Sequence, residues 1–241
     1  DKLLVDRGLI ESRTKAQAVI MAGSVLVDEM RVEKPSESYP VTANIRIKGG
    51  GPETRYVSRG GLKLEAALKA FHICPVAYIC IDIGSSTGGF TDCLLQHGAA
   101  HVVAVDSGTN QLVWGLRTDP RVTVMEKTNA RELKPEAFPD KFDLAVMDVS
   151  FISATKLLPV LLPLFRTQGR IIVLIKPQFE VGKGEVGKGG IVREPEKHER
   201  VVKEVNRFAE QLGLICGGVI ESPILGAEGN KEFLALYERQ A

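Results

Sequence analysis

The sequence predicts an α/β fold: a doubly wound, mostly parallel sheet of seven strands, preceded by a small α+β module. Three observations carry this prediction. From Leu62 onward, short apolar runs alternate with helical patterns, as in strand–helix–strand units. The runs are continuously apolar, as strands covered on both faces are. Near residue 50 the pattern breaks at GGGPETRYVSRGG, a glycine-rich stretch that reads as a linker. The division is therefore residues 1–48 as the small module, 49–60 as the linker and 61–241 as the α/β domain.

In the module, Leu3, Leu4 and Val5 open a short helix closed by Gly8. Ser12 is placed to cap a second helix over Arg13–Ala22, which Gly23 ends. Val25, Leu26 and Val27 read as a strand, Asp28-Glu29 as a turn and Arg31-Val32 as the returning strand; Ile45 and Ile47 alternate with charges as a last one. A unit of this size has a thin core. In the α/β domain an entry helix spans Leu62–Phe71. Strands are expected at Ala77–Ile83, Val102–Val105, Val122–Met125, Leu144–Met147 and Ile171–Ile175, with helices over Ile152–Phe165 and Pro195–Leu212. The strands Leu214–Ile220 and Glu232–Tyr237 close the sheet.

Composition narrows the classes. Hydrophobic residues make up 44% of the 241, enough for a real core, and the net charge is +1, so no global basic field marks a nucleic-acid partner. RNA contacts must rest on local clusters. Cys74, Cys80, Cys93 and Cys216 form no C-x-x-C pair and read as buried reduced thiols in a reducing, cytoplasmic setting. His72, His97, His101 and His198 lack ligand spacing, so no metal is expected. No apolar run approaches the ~18 residues of a membrane span, and there is no signal-peptide pattern. The chain opens on Asp1 rather than methionine, so preceding residues are expected.

The stretch YICIDIGSSTGGFTDCLLQHG, residues 78–98, carries the chemistry. It runs from a buried strand ending in Asp82, through a loop with Gly84, Ser85, Ser86, Thr87, Gly88 and Gly89, into a helix starting near Phe90. Glycines admit close approach of a ligand, and the helix start offers unpaired N–H groups. The loop is neither G-x-G-x-x-G nor a phosphate loop. With Asp106 closing the next strand (HVVAVD), it suits S-adenosylmethionine: the carboxylate takes the ribose hydroxyls and the glycines take the methionine. Another nucleotide, or a structural turn, remains an alternative at this point. In such sheets ligands lie beyond the carboxyl ends of the strands, which selects Asp82, Asp106, Asp148 in MDVSF and Lys176 in IKPQF. A lysine there can act as base or orienting group; a snorkelling surface lysine is the plainer reading.

The loop strand together with SRGGLKLEAAL, MDVSFIS, IKPQFE and GNKEF resembles the FtsJ-type ribose 2′-O-methyltransferases, and more closely their TlyA branch, often labelled hemolysin A. That branch joins an S4-like (alpha-L) RNA-binding module to the methyltransferase, and DRGLIESRTKAQAVIMAGSVLVDEMRVEKP is similar to the module. The resemblance implies a Rossmann-like methyltransferase sheet, S-adenosylmethionine as cofactor and a catalytic Lys-Asp-Lys-Glu tetrad at Lys63, Asp148, Lys176 and Glu232. It also implies an adenine-side contact at Asn129 in KTNAR, where the family has an acid; an amide can pair with the same edge. Thr87 stands where the family loop has proline. The implied substrates are cytidine 2′-hydroxyls of small- and large-subunit ribosomal RNA, met by a monomer or weak dimer.

In that chemistry Lys176 contacts the hydroxyl, Asp148 orients Lys176, and Lys63 with Glu232 balances charge. RNA contacts are expected at Arg13, Lys15, Arg31 and Lys34 on the module and at Arg55 and Arg59 on the linker. The repeat EVGKG-EVGKG, residues 180–189, reads as a mobile flap bringing Lys183 and Lys188 near phosphate, or as a plain loop. Trp114 borders the adenine or packs in the core or on the surface. Two other classes stand beside the methyltransferase: a catalytically silent RNA-binding or ribosome-assembly factor, and a membrane-lytic protein. No strongly amphipathic cationic segment favours the last.

Overall fold

The computed structural model describes residues 1–7, 9–10, 12–28, 30–43, 45–47, 55–182, 184–226 and 229–239, without the side chains of Arg46 and Ile47. Gly8, Glu29, most of the expected linker and Lys183 thus lie outside the described residues. The chain forms two compact units, residues 1–55 and 56–241.

In the first unit, α1 (Lys2–Asp6) and α2 (Arg13–Met21) precede the strands β1 (Val25–Val27), β2 (Met30–Arg31) and β3 (Ile45–Ile47). Ser12 caps α2: its Oγ accepts from the Lys15 N–H at 3.3 Å. Ala16 and Ile20, four apart on one face of α2, are buried with Leu4, Val25, Val27 and Val32. β1 is central, antiparallel to both neighbours. The returning strand is Met30–Arg31 rather than Arg31-Val32.

The second unit runs α3 (Gly60–Ala70), β4 (Ile79–Ile83), α4 (Gly89–Gln96), β5 (His101–Val105), α5 (Trp114–Arg117), β6 (Val122–Met125), β7 (Phe142–Met147), α6 (Leu158–Leu161), β8 (Phe165–Ile175), α7 (Pro177–Glu180), α8 (Pro195–Gln211), β9 (Leu214–Glu221) and β10 (Phe233–Arg239). The seven strands lie in the order β6-β5-β4-β7-β8-β10-β9. Strands β4 to β8 are parallel, and β10 is antiparallel to β8 and β9. Along β7, Ala145 and Met147 join one apolar layer and Leu144 and Val146 the other, so both faces are covered.

Three expectations change. The helix expected over 152–165 is broken: a 3-10 turn at Ala154–Lys156, α6, and a second 3-10 turn at Leu162–Leu164, after which Phe165 already starts β8. Pro159 and Pro163 each remove a helical N–H and crowd the preceding turn. Residues 56–60 are not linker but part of the second unit. Tyr56 is buried, and a Cβ on Gly61 would come within 2.2 Å of its ring. Finally, Cys80 and Cys93 are buried, but Cys74 is exposed and Cys216 only partly buried.

Candidate active site

Two cavities meet at the carboxyl edge of the parallel strands, sharing Gly84, Ser86 and Asp148 in their walls. The larger, about 640 Å³, reaches Asp106, Asn129, Arg131 and Phe151. The smaller, about 250 Å³, reaches Ser58, Arg59, Lys63, Thr87, Gly89 and Phe90. The loop between β4 and α4 divides them, and its shape depends on two glycines. Gly84 has φ +82°, and a Cβ there would come within 2.3 Å of the Asp148 carbonyl oxygen. Gly88 has φ +101°, and a Cβ would meet Leu116 at 2.3 Å. Side chains at either position would close the cradle.

The loop is walled by carboxylates. Asp106 accepts from the Ser86 N–H at 2.8 Å and the Gly108 N–H at 2.7 Å. Each oxygen keeps a lone pair for a ligand hydroxyl. Asp82 is not beyond its strand, as expected from the sequence, but inside β4 and fully buried. The Thr91 hydroxyl donates to its Oδ2 at 2.7 Å, while Oδ1 has no partner. Burial, with the charges of Asp148 and Asp106 nearby, pushes the Asp82 carboxyl up to about 7. An orphaned carboxylate oxygen beneath a glycine cradle, with two further acids around it, suits a cationic ligand.

The four tetrad positions form two ion pairs, Lys63–Glu232 buried and Lys176–Asp148 partly buried. Lys63 Nζ lies 2.5 Å from Glu232 Oε2, and the two residues are 8% and 2% exposed. Lys176 Nζ lies 2.6 Å from Asp148 Oδ1 and donates to Ser150 Oγ at 2.9 Å. Topology brings them together. Asp148 and Lys176 follow the parallel strands β7 and β8. Glu232 precedes β10, whose Phe233 sits opposite Ile175 in antiparallel register. An antiparallel strand starts where its parallel neighbours end.

Other expected residues fall elsewhere. The Asn129 side chain is occupied locally: Oδ1 accepts from the Arg131 N–H at 3.2 Å and Nδ2 donates to Glu132 at 2.9 Å. Asn129 still lines the larger cavity. Arg59 stands at the mouth of the smaller cavity, and its guanidinium donates to the Leu225 carbonyl at 2.9 Å. Arg13 pairs with Asp1 at 3.1 Å. Lys15, Arg31, Lys34 and Arg55 are all exposed. Among the described residues of the 180–189 repeat, Glu185 pairs with Arg200 at 2.7 Å, and Lys197 donates to the Glu185 carbonyl at 3.0 Å. Lys188 is exposed on a 3-10 turn and lines neither cavity. Trp114 does not border the cavity either. Among the described residues no group of His, Cys, Asp and Glu could hold a metal, and no helix is long and apolar enough to cross a membrane.

Sequence reasoning missed three residues here. Ser150 is the second acceptor for Lys176. Phe151 is 91% exposed at φ +65°, its ring 5.0 Å from Phe179. Glu180 accepts from the Ser153 hydroxyl at 2.6 Å and the Ala154 N–H at 2.8 Å, tying the segment after Lys176 to the loop after Asp148. All three lie within motifs visible in the sequence, but their contacts are set by the sheet.

Comparison with known proteins agrees with this geometry. Residues 56–239 match the model of the FtsJ-like methyltransferases, and residues 1–44 match the S4 domain. The Bacillus subtilis protein YqxC is 52% identical over 97% of this chain and 83% of its own. The Mycobacterium tuberculosis 16S/23S rRNA (cytidine-2′-O)-methyltransferase TlyA is 48% identical over 100% of this chain and 89% of its own. A solved Streptococcus thermophilus structure carrying the name hemolysin is 46% identical, covers 99% of this chain and 86% of its own, and superposes with a TM-score of 0.78. The chain therefore belongs to the FtsJ-like methyltransferase family, with an S4 domain ahead of its catalytic unit.

Proposed function

We propose that this chain transfers the methyl group of S-adenosylmethionine to the 2′-hydroxyl of a cytidine in ribosomal RNA. The observation that carries the proposal is the two lysine–carboxylate contacts, Lys176–Asp148 and the buried Lys63–Glu232, beside a glycine-cradled, acid-walled cavity. The name of the Mycobacterium tuberculosis relative supports the substrate.

When bound, S-adenosylmethionine supplies an electrophilic methyl on a sulfonium. Gly84, Gly88 and Gly89 would admit its methionine portion, Asp106 its ribose hydroxyls and the Asn129 region its adenine. Asp82, Asp106 and Asp148 favour its positive charge. Lys176 has three N–H donors. Asp148 and Ser150 take two, and the third is left to hold the ribose oxygen for attack, the hydroxyl proton passing to water as the bond to the methyl forms. Lys63 and Glu232 add no net charge to the buried site, which limits the desolvation penalty.

Phe151, held out by its left-handed backbone at the cavity rim, supports a base of the target nucleotide by stacking. Arg13, Lys15, Arg31 and Lys34 on the S4 unit, with Arg55, Arg59, Lys183 and Lys188, supply phosphate contacts, which makes affinity salt-sensitive. A ribosomal substrate puts the reaction in the cytoplasm.

The test is methyl transfer from labelled S-adenosylmethionine to ribosomal subunits, followed by nucleoside analysis. A 2′-O-methylated cytidine that disappears with Lys176→Ala, while cofactor binding persists, supports the proposal. A methylated base overturns the role of the tetrad. Neither transfer nor cofactor binding leaves a silent RNA-binding factor.

A further inference from the structure

Trp114 is the chain's single tryptophan, and it is 75% exposed. Its loop is held by several hydrogen bonds although the ring faces solvent. The Glu126 carboxylate accepts from the N–H groups of Asn110 at 2.8 Å and Gln111 at 3.0 Å and pairs with Arg117 at 2.5 Å. The Val113 N–H donates to the Thr87 carbonyl at 3.3 Å, fastening the loop to the cofactor cradle. Leu112 and Leu116 are buried, at 5% and 6% exposure, against the face of Gly88. Those two side chains turn inward, and Trp114 between them turns out.

An indole placed for packing would share the inward face with Leu112 and Leu116, and one that served the cofactor would line the cavity. Trp114 does neither. Its loop lies against the cofactor cradle, through the Val113–Thr87 hydrogen bond. Lys127 is exposed beside the same loop: its N–H donates to the Gly108 carbonyl at 2.9 Å, and no ion pair holds its ammonium among the described residues. An exposed aromatic face on a loop flanked by an unpaired cation suits single-stranded nucleic acid, the ring stacking on a base and the cation meeting phosphate.

We infer that Trp114 is a stacking platform for an unpaired RNA base flanking the modified nucleotide. The inference rests on the proposed RNA substrate and adds a second contact to it, on the cofactor-loop side of the cleft. Because the loop is bonded to Thr87, a base on Trp114 also braces the cradle that holds the cofactor.

The lone tryptophan makes the test direct, using intrinsic emission of the full chain. Protein-free ribosomal RNA should quench the emission and shield it from acrylamide, whereas S-adenosylhomocysteine alone should not. Trp114→Ala should raise KM for ribosomal subunits about 5- to 160-fold, the range that base–aromatic stacking spans, with cofactor affinity unchanged. Trp114→Phe should recover most of the loss. Quenching by S-adenosylhomocysteine alone would assign the ring to the cofactor and overturn the inference. Quenching by subunits but not by protein-free RNA would assign it to a ribosomal protein. Wild-type KM in Trp114→Ala would reject any substrate contact. If the wild type transfers no methyl group to RNA, the functional reading fails; quenching by protein-free RNA still decides the platform separately.

Discussion

Asp82 makes the stability of the ligand-free protein depend on pH in an uncommon direction. Its carboxyl sits inside β4 with one oxygen unpaired and titrates near 7 rather than 3.8. The folded state therefore holds a proton that the unfolded state releases between about pH 4 and 7. Stability falls as pH rises through that window, with a slope approaching about 1.4 kcal/mol per unit. The full interval of about three units corresponds to at most ~4 kcal/mol. Asp82→Asn keeps an acceptor for the Thr91 hydroxyl and removes the titration. The variant should match wild type near pH 4 and exceed it increasingly up to pH 7, with a plateau above pH 8. At about 2–4 °C per kcal/mol for a chain of this size, the gap in Tm should approach ~10 °C. Scanning calorimetry of both proteins from pH 4 to 9, without cofactor, measures it. Parallel Tm curves would refute the argument, because they would mean that Asp82 ionises in the fold as easily as in the unfolded chain. The same carboxylate should cost the variant cofactor affinity, so stability and binding should move in opposite directions.

Other substitutions probe separate parts of the site. Gly88→Ala forces a side chain into left-handed backbone against Leu116; it should lose about 1–3 kcal/mol by overpacking, and isothermal titration should show cofactor binding abolished or strongly weakened. Lys63→Met leaves Glu232 buried and unpaired, for about 3–5 kcal/mol. Adding Glu232→Gln should return most of that in a urea melt while methyl transfer stays lost. Phe151→Ala should raise KM for ribosomal subunits by about 5- to 160-fold and leave S-adenosylmethionine affinity unchanged in a binding titration.

Much of the fold was legible because the second unit obeys simple rules. Continuous apolar runs gave the buried strands, and the residues just past β5, β7 and β8, namely Asp106, Asp148 and Lys176, were marked by position alone. The same rule misplaced Asp82, which is one residue short of the end of β4. The helix expected over 152–165 shows the weakness of reading apolar content without its breakers: LLPVLLPLF is rich enough in leucine for a helix, but Pro159 and Pro163 cut it into single turns. The Lys63–Glu232 pair spans 169 positions, and no local pattern shows that β10 inserts antiparallel beside β8; only resemblance to a family named those residues. Phe151 was unreadable for a different reason. An aromatic residue after an apolar strand reads as core, and its exposure follows from a left-handed backbone that sequence does not reveal. The repeat at 180–189 suggested motion, and its Glu185 contact with Arg200 comes from a helix that begins later in the chain.

The position of β10 also sets when the site can come into being. Strand β9 is made before β10 but pairs only with it, so it has no place in the sheet until β10 slots between β8 and β9. Glu232 arrives with that same insertion, near the end of the chain. A nascent or partly refolded molecule can have its glycine loop and Asp106 in place while Lys63 still lacks its partner. Competence to bind cofactor should therefore precede competence to transfer, and activity regained during refolding should lag behind cofactor binding. The last insertion into the sheet acts as a proofreading step: a molecule that modifies RNA is one whose entire sheet has closed.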